Sequence, residues 1–263
     1  MLTRRLALAA PALLLGAAAP EHLPARVPVA AVPISRMETP WWRQRFEAKR
    51  AEMRQRPVDL VWYGDSITQD WEEAGPPAYR DFAPAWQHYY GDRHALNLGF
   101  KGDATSHLLW RLRNGEAEGI EPRAAVVLIG ANNLGLAHWN AEQTLTGIAA
   151  VLAELRARLP RTRVLLLPVL PSIRSAWATA QTGAIARGLA ERYGDPASPV
   201  AYVDVTDLFL KDGKTDPAQF LDPLLDPPEP ALHPTAQAQA RLAAAIEPTL
   251  ARLMEDTAKA PFA

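Results

Sequence analysis

Apolar positions along this chain fall into five short runs, separated by stretches whose apolar residues recur at helical spacing. Val58, Leu60, Val61, Trp62 and Tyr63 form the first run, between Pro57 and Gly64, and its β-branched and aromatic content predicts a buried strand. His94 to Leu98 predicts a second strand, and Ala124 to Ile129 a third, so nearly continuous in apolar residues that both of its faces must be covered. Arg163 to Val169 and Val200 to Val205 predict the fourth and fifth. Helices are predicted between them. A charged helix opens at Thr39 and Pro40 and carries Trp41, Trp42, Phe46 and Met53 to Arg56, and a helix-like stretch leads from Pro77 to Tyr90. Leu108, Leu109 and Leu112 mark another, ending near Gly115, and Leu145, Ile148, Leu152, Leu155 and Leu159 form a stripe behind a capped start at Asn140 and Gln143. Ala176 to Tyr193 is helical, and a last helix opens at Pro234 with a kink or break expected at Pro248. Lys211 to Pro230, rich in Asp and Pro, predicts no strand. Strand and helix alternating with short connections predict a parallel sheet wrapped on both faces, with the strand carboxyl ends along one edge.

Composition narrows the function. With 48% hydrophobic and 22% charged residues the chain can bury a substantial core, and a net charge of −1 offers no basic field for nucleic acid. Residues 1–25 carry Arg4 and Arg5, an apolar stretch from Leu6 to Ala19 and then small residues, the pattern of a cleavable export signal. The paired arginines also fit a twin-arginine signal. Residues 26–40 are proline-rich and expected to run extended over the surface, leaving 41–263 as one domain. The apolar stretch is short for a membrane span, so no stable anchor is expected after cleavage and the expected location is periplasmic or secreted. No cysteine is present, which excludes disulfides and lipoprotein attachment.

The chemistry clusters on the shared edge. Ser66 follows strand one, where Gly64 accepts backbone angles that other residues resist; a serine there is either a nucleophile or the cap of a helix. Gly102 follows strand two, Asn132 follows strand three, and His233 stands before the last helix. Together they supply a hydroxyl nucleophile, an imidazole to take its proton, and backbone and amide donors for an oxyanion. Asn133 can be read as a turn residue. His88, His94, His107 and His138 lack close metal-ligand spacing, and no Gly-rich phosphate loop follows strand one, so no metal or other cofactor is expected.

GDSIT at 64–68, NLGFKGD at 97–103, GANN at 130–133 and LHP at 232–234 resemble, in order and spacing, the blocks of the SGNH or GDSL-type hydrolases. The tracts VDLVWYGDSITQDW, ALNLGFKGDATSHLLWRLRNGE and VVLIGANN are similar to the catalytic subunits of platelet-activating-factor acetylhydrolase and their bacterial relatives, a subgroup that shows Asn at position 133. The resemblance implies a flavodoxin-like three-layer α/β/α sandwich with a five-stranded parallel sheet and metal-free ester hydrolysis. Ser66 would attack, His233 would act as base and then acid, and Ser66 N–H, Gly102 N–H and Asn132 would hold the oxyanion, with Asp65 orienting the turn. The family's last block usually reads Asp, two residues, then His, and Pro230 stands at the Asp position here. Glu229, Asp226 or a main-chain carbonyl would have to orient His233. The leading expectation is an exported esterase acting on a short-chain, chiefly acetyl, ester of a carbohydrate or small lipid-like molecule. An acyltransferase acting on an envelope polysaccharide shares the same acyl-enzyme, and Pro230 motivates a third reading, a binding protein on a decayed site.

Overall fold

The computed structural model describes residues 27–262; the expected export signal at 1–25 lies outside them. Five parallel strands form the sheet: β1 (Leu60–Gly64), β2 (Ala95–Gly99), β3 (Ala124–Leu128), β4 (Arg163–Leu166) and β5 (Val200–Tyr202), in the order β2-β1-β3-β4-β5. This is the doubly wound order of flavodoxin-like sheets, whose strand order reverses beside β1 and opens a crevice at the carboxyl ends of β1 and β3. The helices are α1 (Pro40–Gln55), α2 (Ser66–Gln69), α3 (Ala83–Tyr90), α4 (Thr105–Arg113), α5 (Ala131–Gly135), α6 (Ala141–Arg158), α7 (Ala176–Tyr193) and α8 (Ala236–Met254).

Strand alternation divides the core. Val61 and Tyr63 of β1, with Ala125 and Val127 of β3, face α4, α6 and α7; Leu60, Trp62, Ala124 and Val126 face α3 and α8. The strands are therefore apolar throughout because each pleat face meets a helix layer. On the α3 side, Trp62, Trp71, Trp86 and Tyr90 interlock, Trp71 meeting Tyr90 edge-on at 5.7 Å and Trp62 at 6.0 Å between centroids. Each such pair adds about 0.5–1.5 kcal/mol beyond area burial. Since Trp71 follows α2 directly, this cluster pins the turn that carries Ser66. On the other side Trp42 and Phe46 of α1 pack with Phe100, the expected aromatic corner, while Trp41 stays exposed.

Several elements differ from expectation. β4 and β5 stop at Leu166 and Tyr202, short of Val169 and Val205, although Leu167, Val169 and Val205 remain buried; an apolar run does not distinguish a strand from a covered loop. The irregular tract contains a small antiparallel hairpin, β6 (Leu210–Lys211) and β7 (Lys214–Thr215), closed over Asp212 and Gly213 at positive φ. α8 runs unbroken through Pro248, which lies on its exposed side while Leu242, Ile246, Leu250 and Leu253 bury the opposite face. Packing of that face outweighs one lost backbone bond. The 27–39 segment is partly inserted: Ala30 is fully buried and its carbonyl accepts the Thr105 hydroxyl at 2.8 Å.

Candidate active site

Parallel pairing brings the strand ends level: Gly64 stands opposite Gly99 on one side and Leu128 on the other. The segments leaving the three strands therefore meet at one edge. After β1, Asp65 and not Ser66 caps α2, its Oδ1 accepting the Ile67 N–H at 3.1 Å, so the Ser66 hydroxyl is free of that duty. Burial pushes the Asp65 carboxyl up to about 7, against the pull of the Ile67 N–H and the His233 charge. Gly64 lies at the end of the strand, and its need is for space: a Cβ there would lie 2.0 Å from Thr68 Oγ1 and 2.5 Å from the Leu128 carbonyl.

After β2 the chain turns through Gly102 at φ +79, a left-handed conformation that favours glycine. Beyond β3, the Asn132 side chain is buried and its Nδ2 donates to the Asp103 carbonyl at 3.0 Å. An amide nitrogen has two hydrogens, so a second donor remains. Asn133 is no mere turn residue: its Oδ1 accepts the Thr105 N–H at 2.9 Å and its Nδ2 donates to Thr105 Oγ1 at 2.8 Å, tying the start of α4 to the Asn132 loop.

These loops share a buried ionic hub that sequence reasoning missed. The fully buried Asp103 carboxylate accepts from Arg36 Nη1, Trp42 Nε1 and Arg111 Nε, each at 2.8 Å. Arg111 also donates to the Gly64 carbonyl at 3.1 Å and the Leu98 carbonyl at 3.2 Å, pairs with Glu116, and stacks 4.1 Å above Phe100. One guanidinium thus binds the ends of β1 and β2 to the loop that carries Gly102. Spacing gave no sign of this, because Arg36, Trp42 and Arg111 come from separate elements.

His233 stands on the opposite wall, ahead of the Thr235 cap of α8. Its Nε2 lies 3.0 Å from Ser66 Oγ, and its Nδ1 lies 2.6 Å from Asp222 Oδ1. A carboxylate can only accept, so Nδ1 carries the hydrogen toward Asp222 and Nε2 accepts the Ser66 hydroxyl hydrogen. Asp222 Oδ2 accepts the Leu232 and His233 N–H groups at 2.7 and 2.6 Å. Burial alone would push the His233 imidazole down; the Asp222 bond and charge, with Asp70 and Asp65 behind them, outweigh it and hold the pKa above the ordinary value. Burial would likewise raise Asp222, but His233 and the two backbone donors bring it below the usual carboxylate range.

The expected orienting acids are therefore corrected. Glu229 and Asp226 are exposed, and neither side chain bonds to the imidazole; Glu229 contributes only its backbone N–H, to the Asp222 carbonyl at 3.0 Å. Asp222, eleven residues before His233 in the chain, occupies the place that Pro230 cannot. It gets there by antiparallel pairing, in which Leu221 N–H donates to the His233 carbonyl at 2.8 Å and Thr235 N–H to the Gln219 carbonyl at 2.9 Å. Phe220, fully buried against Phe209, anchors the arm. The one sequence signal was an acid directly after the apolar pair Phe220–Leu221. With Asp222 in contact, the motive for a decayed site falls away. Gln239, also missed, is buried and donates from α8 to the Ile67 carbonyl at 2.8 Å.

A hydroxyl, an imidazole and a carboxylate in hydrogen-bonded series can carry out acyl transfer. A groove of about 300 Å³ at the opposite edge, lined by Asp59, Arg93 and Asp256 among others, lies away from these groups, ahead of the strands. Among the described residues no cluster of His, Asp and Glu is placed to hold a metal ion.

Comparison with known proteins agrees with this architecture. The family model of the GDSL-like lipase/acylhydrolases matches residues 62–241, and the chain belongs to that family. The chain is 37% identical over 130 residues to platelet-activating factor acetylhydrolase IB subunit alpha1 of Homo sapiens, a match covering 49% of this chain and 51% of that protein. The matched region thus spans about half the length of that relative. Among solved structures it resembles a GDSL-like lipase from Bacteroides thetaiotaomicron (TM-score 0.60, 19% identity, 80% of this chain and 97% of that one). It also resembles a carbohydrate esterase family 3 protein from Talaromyces cellulolyticus (TM-score 0.54, 17% identity, 76% and 100%). At those identities the likeness to the solved structures is one of fold.

Proposed function

We propose that this member of the GDSL-like lipase/acylhydrolase family is a serine esterase that removes a short acyl group, acetyl foremost, from a carbohydrate or small lipid-like ester. The observation that carries the reading is the continuous relay from Ser66 Oγ through His233 to Asp222, at 3.0 and 2.6 Å. In the proposed reaction Ser66 Oγ attacks the acyl carbonyl while His233 Nε2 accepts its proton. Asp222 holds the Nδ1–H and stabilises the imidazolium. The tetrahedral oxyanion rests between the N–H groups of Ser66 and Gly102 and the Asn132 amide, a single such donor lowering the barrier by about 3–4 kcal/mol. His233 then protonates the leaving alcohol, and water repeats the sequence to free Ser66.

The acetyl preference is supported by the relative named as an acetylhydrolase, and a carbohydrate substrate by the fold neighbour named as a carbohydrate esterase. The Arg4–Ala19 pattern supports export, with action in the periplasm or outside the cell, and a net charge of −1 fits a small-molecule or carbohydrate ester better than a nucleic-acid partner. Among the described residues no helix is long and apolar enough to cross a membrane. Hydrolysis of p-nitrophenyl esters from acetate to octanoate, by the wild type beside Ser66→Ala, tests the reading. Turnover that vanishes with Ser66 and falls with acyl length supports it; equal rates in the two proteins sink it.

A further inference from the structure

Arg174 follows β4 on the side of the cleft beyond Asn132, and the proposed reaction leaves it without a role. Its guanidinium is built into the wall. Nη2 donates to the carbonyl of Ala131, the residue before Asn132, at 2.9 Å. A Cβ on Gly135 would lie 2.1 Å from Nη1 and 2.4 Å from the guanidinium carbon, so glycine at that position leaves the seat into which the group fits. The neighbouring Ser172 Oγ donates to the Ala231 carbonyl at 2.9 Å, two residues from His233. Arg174 therefore stands between the loop bearing Asn132 and the loop bearing His233.

Among the described residues the seat holds no counter-ion, and Arg174 Nε is buried with no hydrogen-bond partner. Among the described residues no carboxylate bonds to the guanidinium; Asp65 and Asp222 act on it only through space, while burial lowers its pKa. Most other buried or partly buried arginines here have carboxylates: Arg36 and Arg111 have Asp103, Arg93 has Glu247 and Asp256, and Arg45 has Glu72. A half-buried guanidinium without an anion forgoes charge-assisted hydrogen bonds and bears the cost of lost hydration. An oxyanion in the cleft would supply the missing counter-charge. Trp177, three residues on, and Leu136, next to Gly135, are exposed and offer apolar surface for the rest of such a molecule.

We infer that Arg174 is a substrate-recognising residue that pairs with an anionic group, carboxylate or phosphate, carried by the ester substrate elsewhere than at the scissile bond. The inference rests on the esterase reading of Ser66 and narrows its substrate to acidic esters. A guanidinium binds either anion through the same planar fork, so matched substrates separate the two sources.

The test compares kcat/KM for 4-acetoxybenzamide, 4-acetoxybenzoate and 4-acetoxyphenyl phosphate in the wild type, Arg174→Lys and Arg174→Gln. The expected result is that the anionic-to-neutral ratio of the wild type falls about tenfold or more in Arg174→Gln, mainly through KM, and that Arg174→Lys recovers part of it. The anion with the larger ratio identifies the source. A loss of equal size on the neutral and anionic esters would make Arg174 a piece of the wall and overturn the inference. Calorimetric binding of both anionic esters to Ser66→Ala, with and without Arg174→Gln, gives a readout independent of turnover. Binding that requires Arg174 upholds the inference even if the wild type hydrolyses nothing, in which case the esterase reading alone fails; binding indifferent to Arg174 overturns the inference itself.

Discussion

The two walls of the cleft are held by different means. Ser66, Gly102 and Asn132 stand close behind the ends of adjacent paired strands, where register fixes their neighbours, and the buried Asp103–Arg111 hub locks their loops together. Asp222 and His233 stand on a tract with no strand in the main sheet, positioned by two backbone bonds between 219–221 and 233–235 and by the anchor at Phe220. On the first wall, strand ends dictate position. On the second, an acid far away in sequence is folded back, so the spacing between Asp and His is free to vary while the contact stays the same.

The largest effect is expected where both walls meet. Ser66→Ala should reduce ester hydrolysis by on the order of 10⁴–10⁶-fold, to the level left by the oxyanion donors alone, as read from p-nitrophenyl acetate turnover. Next comes the second wall: Asp222→Asn should cost about 10²–10⁴-fold in kcat, while Glu229→Gln should stay within about twofold. A reversal of that order would return the acid to position 229. On the first wall, Asn132→Ala should lower kcat by about 10²–10³-fold with a smaller change in KM; a change confined to KM would remove Asn132 from the oxyanion site.

Stability should divide along the same line. Asp103→Asn takes the shared carboxylate from part-buried Arg36 and from fully buried Arg111, which keeps only Glu116, and should destabilise the fold by about 3–5 kcal/mol in urea titration, whereas Asp222→Asn, facing a half-exposed imidazole, should cost less. The smallest effect is on pH. His233 must be neutral to accept the serine proton, and its pKa is held above the ordinary 6.5, so kcat/KM should fall as pH drops through a value above 6.5. Removing the Asp222 charge lowers that pKa, so the acid limb of the Asp222→Asn profile should move to lower pH; a limb that stays in place would mean that Asp222 does not set the imidazole's charge.

The alternation of five apolar runs with helical stripes determined the parallel sheet, and the residues after its first three strands were legible because a strand's end fixes where the next residues go. The Asn140–Gln143 capping box and the α7 span were legible for the same local reason. What the sequence left open were matters of long-range contact. Asp222 became the partner of His233 only once Leu221 and Gln219 paired with 233–235, and Asp103 became a hub only once α1, α4 and the 27–39 segment converged on it. Arg174 came to stand beside the Asn132 loop, with no carboxylate bonded to it among the described residues, only once the 131–135 segment packed against it. Periodicity and caps depend on residues within a few positions of one another, and a sequence displays them directly. The partner of a buried charge is chosen by which elements pack together, and that is settled by the tertiary fold as a whole.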